Sequence, residues 1–249
     1  MPCSIQLEGV NLCYPSHIYN ATTLKKEVFQ LLKLQREKKL LRDVHALRDV
    51  SFNVTEGERV GVIGLNGAGK STLLKAIGGI YPLESGKITV SGAVRGMFDL
   101  SLGFELESTG RENILYRGLM LGLHPSDIRE KQQEIIDFAE LGEFIDYPIK
   151  SYSAGMLVRL AFAITTSVTG EVLLVDEVIG AGDASFAAKA RNRISGVMSV
   201  SKILILVSHD LSSINELCTR ALWMEKGRLN MDSTPKEVTA EYMKQVQGV

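Results

Sequence analysis

Gly64-Leu65-Asn66-Gly67-Ala68-Gly69-Lys70-Ser71-Thr72 stands between an apolar run, Arg59 to Ile63, and a helical pattern that continues from Ser71 to Ile80. The stretch fits G-x-x-x-x-G-K-[ST], and a strand before it with a helix after it is the setting in which that pattern holds phosphate. The residue types follow from the task. Phosphate oxygens concentrate negative charge that many donors must meet in little space. Glycines at 64, 67 and 69 accept backbone torsions that other residues disfavour, so successive N–H groups can point into one concavity. The helix from Lys70 turns the positive end of its dipole toward the same anion. Lys70 suits the β- and γ-phosphates, and the Ser71 hydroxyl is a hard oxygen ligand for Mg²⁺. The expected fold class is therefore α/β, with ATP and Mg²⁺ as ligands and Asn66, Ala68 and Thr72 among the nucleotide contacts.

Further along, Val172-Leu173-Leu174-Val175 reads as a buried strand that ends in Asp176 and Glu177. Ligands of open α/β sheets sit outside the carboxyl ends of the strands, beside the loop just described. Asp176 suits a magnesium role, directly or through water, and Glu177 suits orienting and deprotonating an attacking water. An isolated Asp-Glu pair is ordinarily a solvated loop; four aliphatic residues before it favour the site. A second apolar run, Ile203 to Val207, leads into Ser208-His209-Asp210. A lone histidine is ordinarily structural, but His209 at a strand's carboxyl end is a candidate for the γ-phosphate or the water.

The remaining pattern places these pieces. Ser4 to Tyr14 alternates apolar and polar residues and reads as an edge strand. Ala46 to Val54, Gly86 to Val90 and Ala93 to Phe98 are further strands. From Arg111 to about Gly170 the spacing is helical, with Ser126 and Asp127 suited to an N-cap. The strand–helix–strand order that follows predicts a parallel sheet with right-handed crossovers. Residues 1–98 and 171–249 are expected to form the core, including a basic insertion at 15–45, and 99–170 a loop with an inserted helical subdomain. Within the insertion, Leu24 to Arg42 reads as a basic amphipathic helix carrying Lys25, Lys26, Lys33, Arg36, Lys38, Lys39 and Arg42 against Glu27 and Glu37. A plain surface helix, a membrane-surface contact and a partner-docking element all fit it.

The bulk properties exclude several classes. A net charge of −1 gives no footprint for nucleic acid. The cysteines, Cys3, Cys13 and Cys218, lack paired spacing, which argues against a disulfide framework or a zinc site and for a reducing cytosol. No apolar run approaches the ~20 residues of a membrane-spanning helix, and no signal peptide is expected at the start of the chain.

With these pieces in order, the chain resembles the ATP-binding subunits of ABC transporters over nearly its full length. Tyr152-Ser153-Ala154-Gly155-Met156 is similar to the family signature, L-S-G-G-Q, with Ser153 and Gly155 kept; as a bare motif it fits an ordinary N-cap equally well. The resemblance implies a P-loop ATPase core with an N-terminal antiparallel β subdomain and an inserted α-helical subdomain. It implies ATP hydrolysis by a head-to-tail dimer, Ser153 and Gly155 completing the site of a second copy. Tyr14 matches the aromatic that stacks on adenine, and Asp183, in Ala181-Gly182-Asp183, the loop linking the two sites. The family's usual Gln is missing from Met97-Phe98-Asp99-Leu100-Ser101-Leu102-Gly103; Asp99 is the nearest polar residue, and a plain loop acid fits it as well.

The variants Tyr152 to Met156, Thr109-Gly110-Arg111-Glu112-Asn113-Ile114 and Asp176 to Asp183 resemble the polysaccharide exporters, those for O-antigen, capsule or teichoic acid. That resemblance implies a membrane-spanning subunit dimer as partner, a lipid-linked polysaccharide as cargo, no nucleic acid, and a place on the cytoplasmic face of the inner membrane. Some relatives add a C-terminal carbohydrate-binding domain, for which these 249 residues are expected to leave no room. A soluble ABC ATPase acting on ribosomes or DNA is the alternative of a different class, and two cassettes in one chain or long coiled coils would mark it.

Overall fold

The computed structural model describes residues 2–14, 43–98, 103–176 and 184–247. The expected helix from Leu24 to Arg42 and the candidates Asp99, Glu177 and Asp183 lie outside them.

Three short strands fix the architecture: β3 (Arg59–Ile63), β6 (Val172–Asp176) and β7 (Ile203–Val207). Their side chains are buried almost without a break, which requires cover on both faces and marks a parallel sheet. With β5 (Val94–Met97), β8 (Arg220–Glu225) and β9 (Arg228–Ser233) they form a six-stranded sheet in the order β5-β6-β7-β3-β8-β9. All neighbours pair in parallel except β8 and β9, which form a hairpin. The helices α1 (Lys70–Ile77), α5 (Ala184–Val200), α6 (Leu211–Leu217) and α7 (Pro235–Gln247) accompany it. The first of these stops earlier than its pattern suggested, because Gly78 and Gly79 follow, the latter at φ 72°.

A second sheet is antiparallel, in the order β2 (Val44–Thr55), β1 (Ser4–Tyr14), β4 (Ser85–Ser91). The expected edge strand is thus the middle one: Leu7 pairs with Phe52 on one side and Ile88 on the other. Alternation of Ile5, Leu7, Val10 and Leu12 reports which face meets the core. It cannot report how many neighbours the strand has, since an inner antiparallel strand with one wet face alternates in the same way.

The helical block comprises α2 (Gly110–Met120), α3 (Pro125–Ala139) and α4 (Ala154–Thr166), which share a core of Ile114, Ile128, Ile135, Ala139, Leu160 and Ile164. Ser126 and Asp127 are not the N-cap of α3. His124 is, its Nδ1 accepting the Ser126 N–H at 3.4 Å, with Pro125 occupying the first helical position for which its fixed φ suits it. Asp127 sits instead in the first turn, where the helix dipole favours an acid. At the start of α2, Thr109 and Glu112 form a reciprocal capping box. Asn113 then pins the preceding turn. Fully buried, its amide donates to the carbonyls of Glu105, Ser108 and Thr109, and its oxygen accepts the Glu105 N–H at 2.8 Å.

Asn113→Ala orphans those buried groups and is expected to cost about 2–4 kcal/mol in urea unfolding. Gln133→Ala, which removes only an exposed bond to Asp137, is expected to change stability by less than about 0.5 kcal/mol.

Candidate functional site

The phosphate loop leaves the centre of the main sheet, since β3 lies between β7 and β8. Gly64, Gly67 and Gly69 have φ of 147°, 79° and 100°. Two of them have a second reason to be glycine. A Cβ on Gly64 would lie 2.2 Å from the Met224 carbonyl oxygen, and one on Gly69 2.5 Å from that of Ala46. At Gly67 no neighbour comes within 4 Å, so torsion alone selects it. Ala68 is buried; its N–H donates to the Leu65 carbonyl at 3.1 Å and its own carbonyl accepts the N–H of Gly227 at 2.9 Å.

Lys70 is only 6% exposed, so its ammonium must be satisfied within the protein. Nζ donates to the carbonyls of Gly64 at 2.7 Å and Leu65 at 3.1 Å, which hold the charge inside the loop's curve. Asn66 to Thr72, Val207 and His209 together line a cavity of about 290 Å³. A larger cavity, about 530 Å³, lies on the loop's other flank against Trp223 and Tyr242. It touches neither Lys70 nor Ser71, both of which line the smaller one.

The neighbouring strands bring up the other candidates. His209 is exposed beyond the end of β7 and lines the same cavity. Asp176 ends β6, half-buried and in register with Val207, which in turn pairs with Val62 of β3. Ser71, in the first turn of α1, and Asp176, at the carboxyl end of β6, offer a hydroxyl and a carboxylate, hard oxygen donors of the kind Mg²⁺ takes. Tyr14 reaches the site from the other sheet: its hydroxyl lies 3.0 Å from Thr72 Oγ1, and its ring meets Tyr81 edge-on with centroids 5.5 Å apart. Burial, aided by the Tyr81 phenol, pushes the Tyr14 hydroxyl above its usual pKa, so it remains neutral at physiological pH.

The signature residues stand elsewhere. Ser153 and Gly155 are exposed at the start of α4, which packs on α2, α3 and α5. Ser153 Oγ accepts the Met156 N–H at 3.2 Å, so the serine does serve as an N-cap. Neither residue lines the phosphate cavity of its own chain.

One contributor escaped the sequence reading. Lys226 and Gly227, at φ 47° and 82°, form the two-residue turn of the β8–β9 hairpin, and this turn braces the phosphate loop from behind. Gly227 donates to Ala68 while its carbonyl accepts the N–H of Arg48 from β2 at 2.8 Å. The signal was available as Lys-Gly between a continuous apolar run, Ala221 to Met224, and an alternating one, Leu229 to Ser233, but nothing local tells such a hairpin which distant loop it will support.

A family model described as ABC transporter matches residues 47–180. An O-antigen export system ATP-binding protein of Klebsiella pneumoniae is 38% identical over 244 residues, covering 96% of this chain and 96% of that protein. A protein of the same description from Myxococcus xanthus is 41% identical over 221 residues, 89% of this chain and 51% of that one. A teichoic acids export ATP-binding protein of Lactococcus lactis is 41% identical over 206 residues, 83% and 44% respectively. The chain therefore spans about half the length of the last two and nearly all of the first. Among solved structures, a dimeric bacterial ABC transporter cassette superposes with a TM-score of 0.67 at 19% identity, covering 93% of this chain and 98% of that one. An ATP-binding subunit of an ABC transporter gives 0.68 at 19%, covering 96% and 92%; these two share the fold.

The brace can be tested against a matched control. A Cβ on Gly227 would lie 2.7 Å from the Ala46 carbonyl oxygen, whereas Gly57 has similar φ, 93°, and nothing within 4 Å. Gly57→Ala is expected to cost about 1 kcal/mol of stability with nucleotide affinity unchanged. Gly227→Ala is expected to cost more and to weaken binding of a fluorescent ATP analogue several-fold.

Proposed function

The chain belongs to the ABC transporter family, and from that premise we propose that it is the ATP-hydrolysing subunit of an exporter that carries a lipid-linked polysaccharide of the O-antigen kind across the cytoplasmic membrane. The observation that carries this reading is the relation to the Klebsiella O-antigen subunit, which runs over 96% of both chains. Among the described residues no helix is long and apolar enough to cross a membrane. In this reading the subunit works from the cytoplasmic face through a membrane-spanning partner dimer.

In this reading Gly64, Asn66, Gly67, Ala68, Gly69, Lys70 and Thr72 hold the phosphates, and Tyr14 offers its ring to adenine. Ser71 and Asp176 would hold Mg²⁺, which would offset the charge of the phosphates. Glu177 takes the proton of the attacking water, and His209, at the cavity rim, orients the γ-phosphate or that water. Ser153 and Gly155 complete the site of a second copy. Their exposure at the N-terminus of α4, outside the cavity of their own chain, supports that assignment. ATP then draws two copies together, and loss of phosphate removes the attraction. Asp183 links the two sites, and Asp99 takes the place of the family's Gln toward the membrane partner. Residues 99–170 supply the loop and the helical subdomain that carries the signature. The relation to the Lactococcus teichoic-acid subunit favours a second reading, in which the cargo is a teichoic-acid or capsular chain.

Glu177→Gln is expected to lower kcat by about 10²–10⁴ and to leave an ATP-bound dimer that elutes as twice the mass of the wild type in gel filtration; fast hydrolysis by this variant removes Glu177 from the role of base. The cargo is read by purifying the chain with its membrane partner and identifying the bound lipid-linked glycan by mass spectrometry. An O-antigen-type repeat supports the main reading, and a polyol-phosphate chain shifts it to teichoic acid.

A further inference from the structure

Three side chains unlike one another in chemistry meet on the outer face of the antiparallel sheet. Cys13, near the end of the middle strand β1, is the cross-strand partner of His45 in β2. Glu84 stands on the opposite side of β1, where its backbone N–H donates to the Asn11 carbonyl at 2.9 Å just ahead of β4. The thiol sulfur, an imidazole nitrogen and a carboxylate oxygen all lie within 4.8 Å of one another. Cys13 is half-buried, and His45 and Glu84 are exposed.

We propose that Cys13, His45 and Glu84 form a binding site for Zn²⁺, with a fourth position open to water. The three donors are one soft sulfur, one imidazole and one carboxylate, a set suited to a borderline-soft ion and poorly suited to Mg²⁺ or Ca²⁺. At ordinary zinc distances, tetrahedral ligand atoms lie roughly 3.5 Å apart, so the present separations need shifts of about an ångström, within reach of the exposed His45 and Glu84 rotamers. His45 Nδ1 and Glu84 Oε2 are 3.6 Å apart, beyond hydrogen-bond reach and close to that ligand spacing. The carboxylates of Glu84 and Asp43 also place negative charge around the sulfur, which favours a cation there. On ligation the Cys13 S–H bond breaks and its proton passes to solvent, leaving a thiolate on the metal.

Cysteine spacing alone speaks against a zinc site, because the ligands come from β1, β2 and the residue ahead of β4, and only one is a cysteine. Strand register is what assembles them. The site also adjoins a residue that reaches the phosphate loop. Tyr14, the next residue, bonds Thr72 of the phosphate loop, and the ion would tie β1, β2 and the start of β4 together at that point. A bound ion therefore fixes the strand end that carries Tyr14 and changes the apparent affinity for ATP. That consequence rests on the adenine role of Tyr14; ion binding does not.

The test uses the full chain, reduced and free of nucleotide, titrated with Zn²⁺ against a chromophoric chelator and separately with Co²⁺. The expected result is one ion per chain, a thiolate-to-cobalt charge-transfer band, and affinity at least about tenfold lower in each of Cys13→Ser, His45→Gln and Glu84→Gln. Cys3→Ser, remote from the cluster, keeps wild-type binding. Unchanged affinity in the triple variant overturns the proposal. So does a missing charge-transfer band, or a loss confined to Cys13→Ser alone. Thermal melts of the metal-free variants establish that they are folded. If Zn²⁺ binds as expected while the KM for ATP does not move, the site stands and its coupling through Tyr14 falls.

Discussion

The Ala68 carbonyl receives the N–H of Gly227, and most of what makes the phosphate loop a site depends on that contact and its neighbours. A loop with three glycines in eight residues has little reason of its own to keep one shape, since glycine loses more conformational freedom on folding than any other residue. Here the shape is imposed from outside. Met224 presses on Gly64, Ala46 on Gly69, and the Lys226–Gly227 turn on Ala68, while β2 holds that turn through Arg48. Lys70 completes the arrangement from within, its ammonium held by the carbonyls of Gly64 and Leu65. A preformed concavity matters because an anion can then be met by fixed donors, without the entropy loss of ordering them at the moment of binding.

The helical block follows a different logic. Its own core of isoleucines and leucines carries α4 so that Ser153 and Gly155 face outward. Its seam with α5 is mixed: Phe138 and Phe162 pack edge-on against Phe186 in a buried cluster, while at the rim Lys189 bonds the Phe138 carbonyl and Glu140 and Arg193 pairs with Glu134. The apolar part resists separation of the two, and the polar rim fixes their register.

The sequence was most legible where physics is local. The strand–loop–helix around Gly64 to Thr72 and the apolar strands ending at Asp176 and Val207 could be placed because each needs only its own neighbours in the chain. The parallel sheet followed from their continuous burial. What remained hidden was relational. β1 alternates identically whether it has one partner or two, so its central place could not be read. Pro125 outranked Ser126 and Asp127 in setting the start of α3, and the cap fell to His124. The Gly227 brace and the Cys13, His45, Glu84 cluster depend on which strands meet, and no window along the chain contains that information. Ser153 as an N-cap and Ser153 as an anion ligand need the same residue in the same place, so sequence left both open, and one chain alone shows the first.

The position of β3 between β7 and β8 also sets an order of events during synthesis. The phosphate-loop motif leaves the ribosome complete long before Ile203 to Val207 or Arg220 to Glu225 exist, a lag of roughly ten seconds or more at ordinary elongation rates. During that interval the nascent chain carries every residue of the motif and Ala46 of β2, but not Met224 or Gly227, which close its other side. Nucleotide capture therefore waits for the last third of the chain, and a prematurely terminated product bears the phosphate-loop motif without a site able to draw on the cell's ATP.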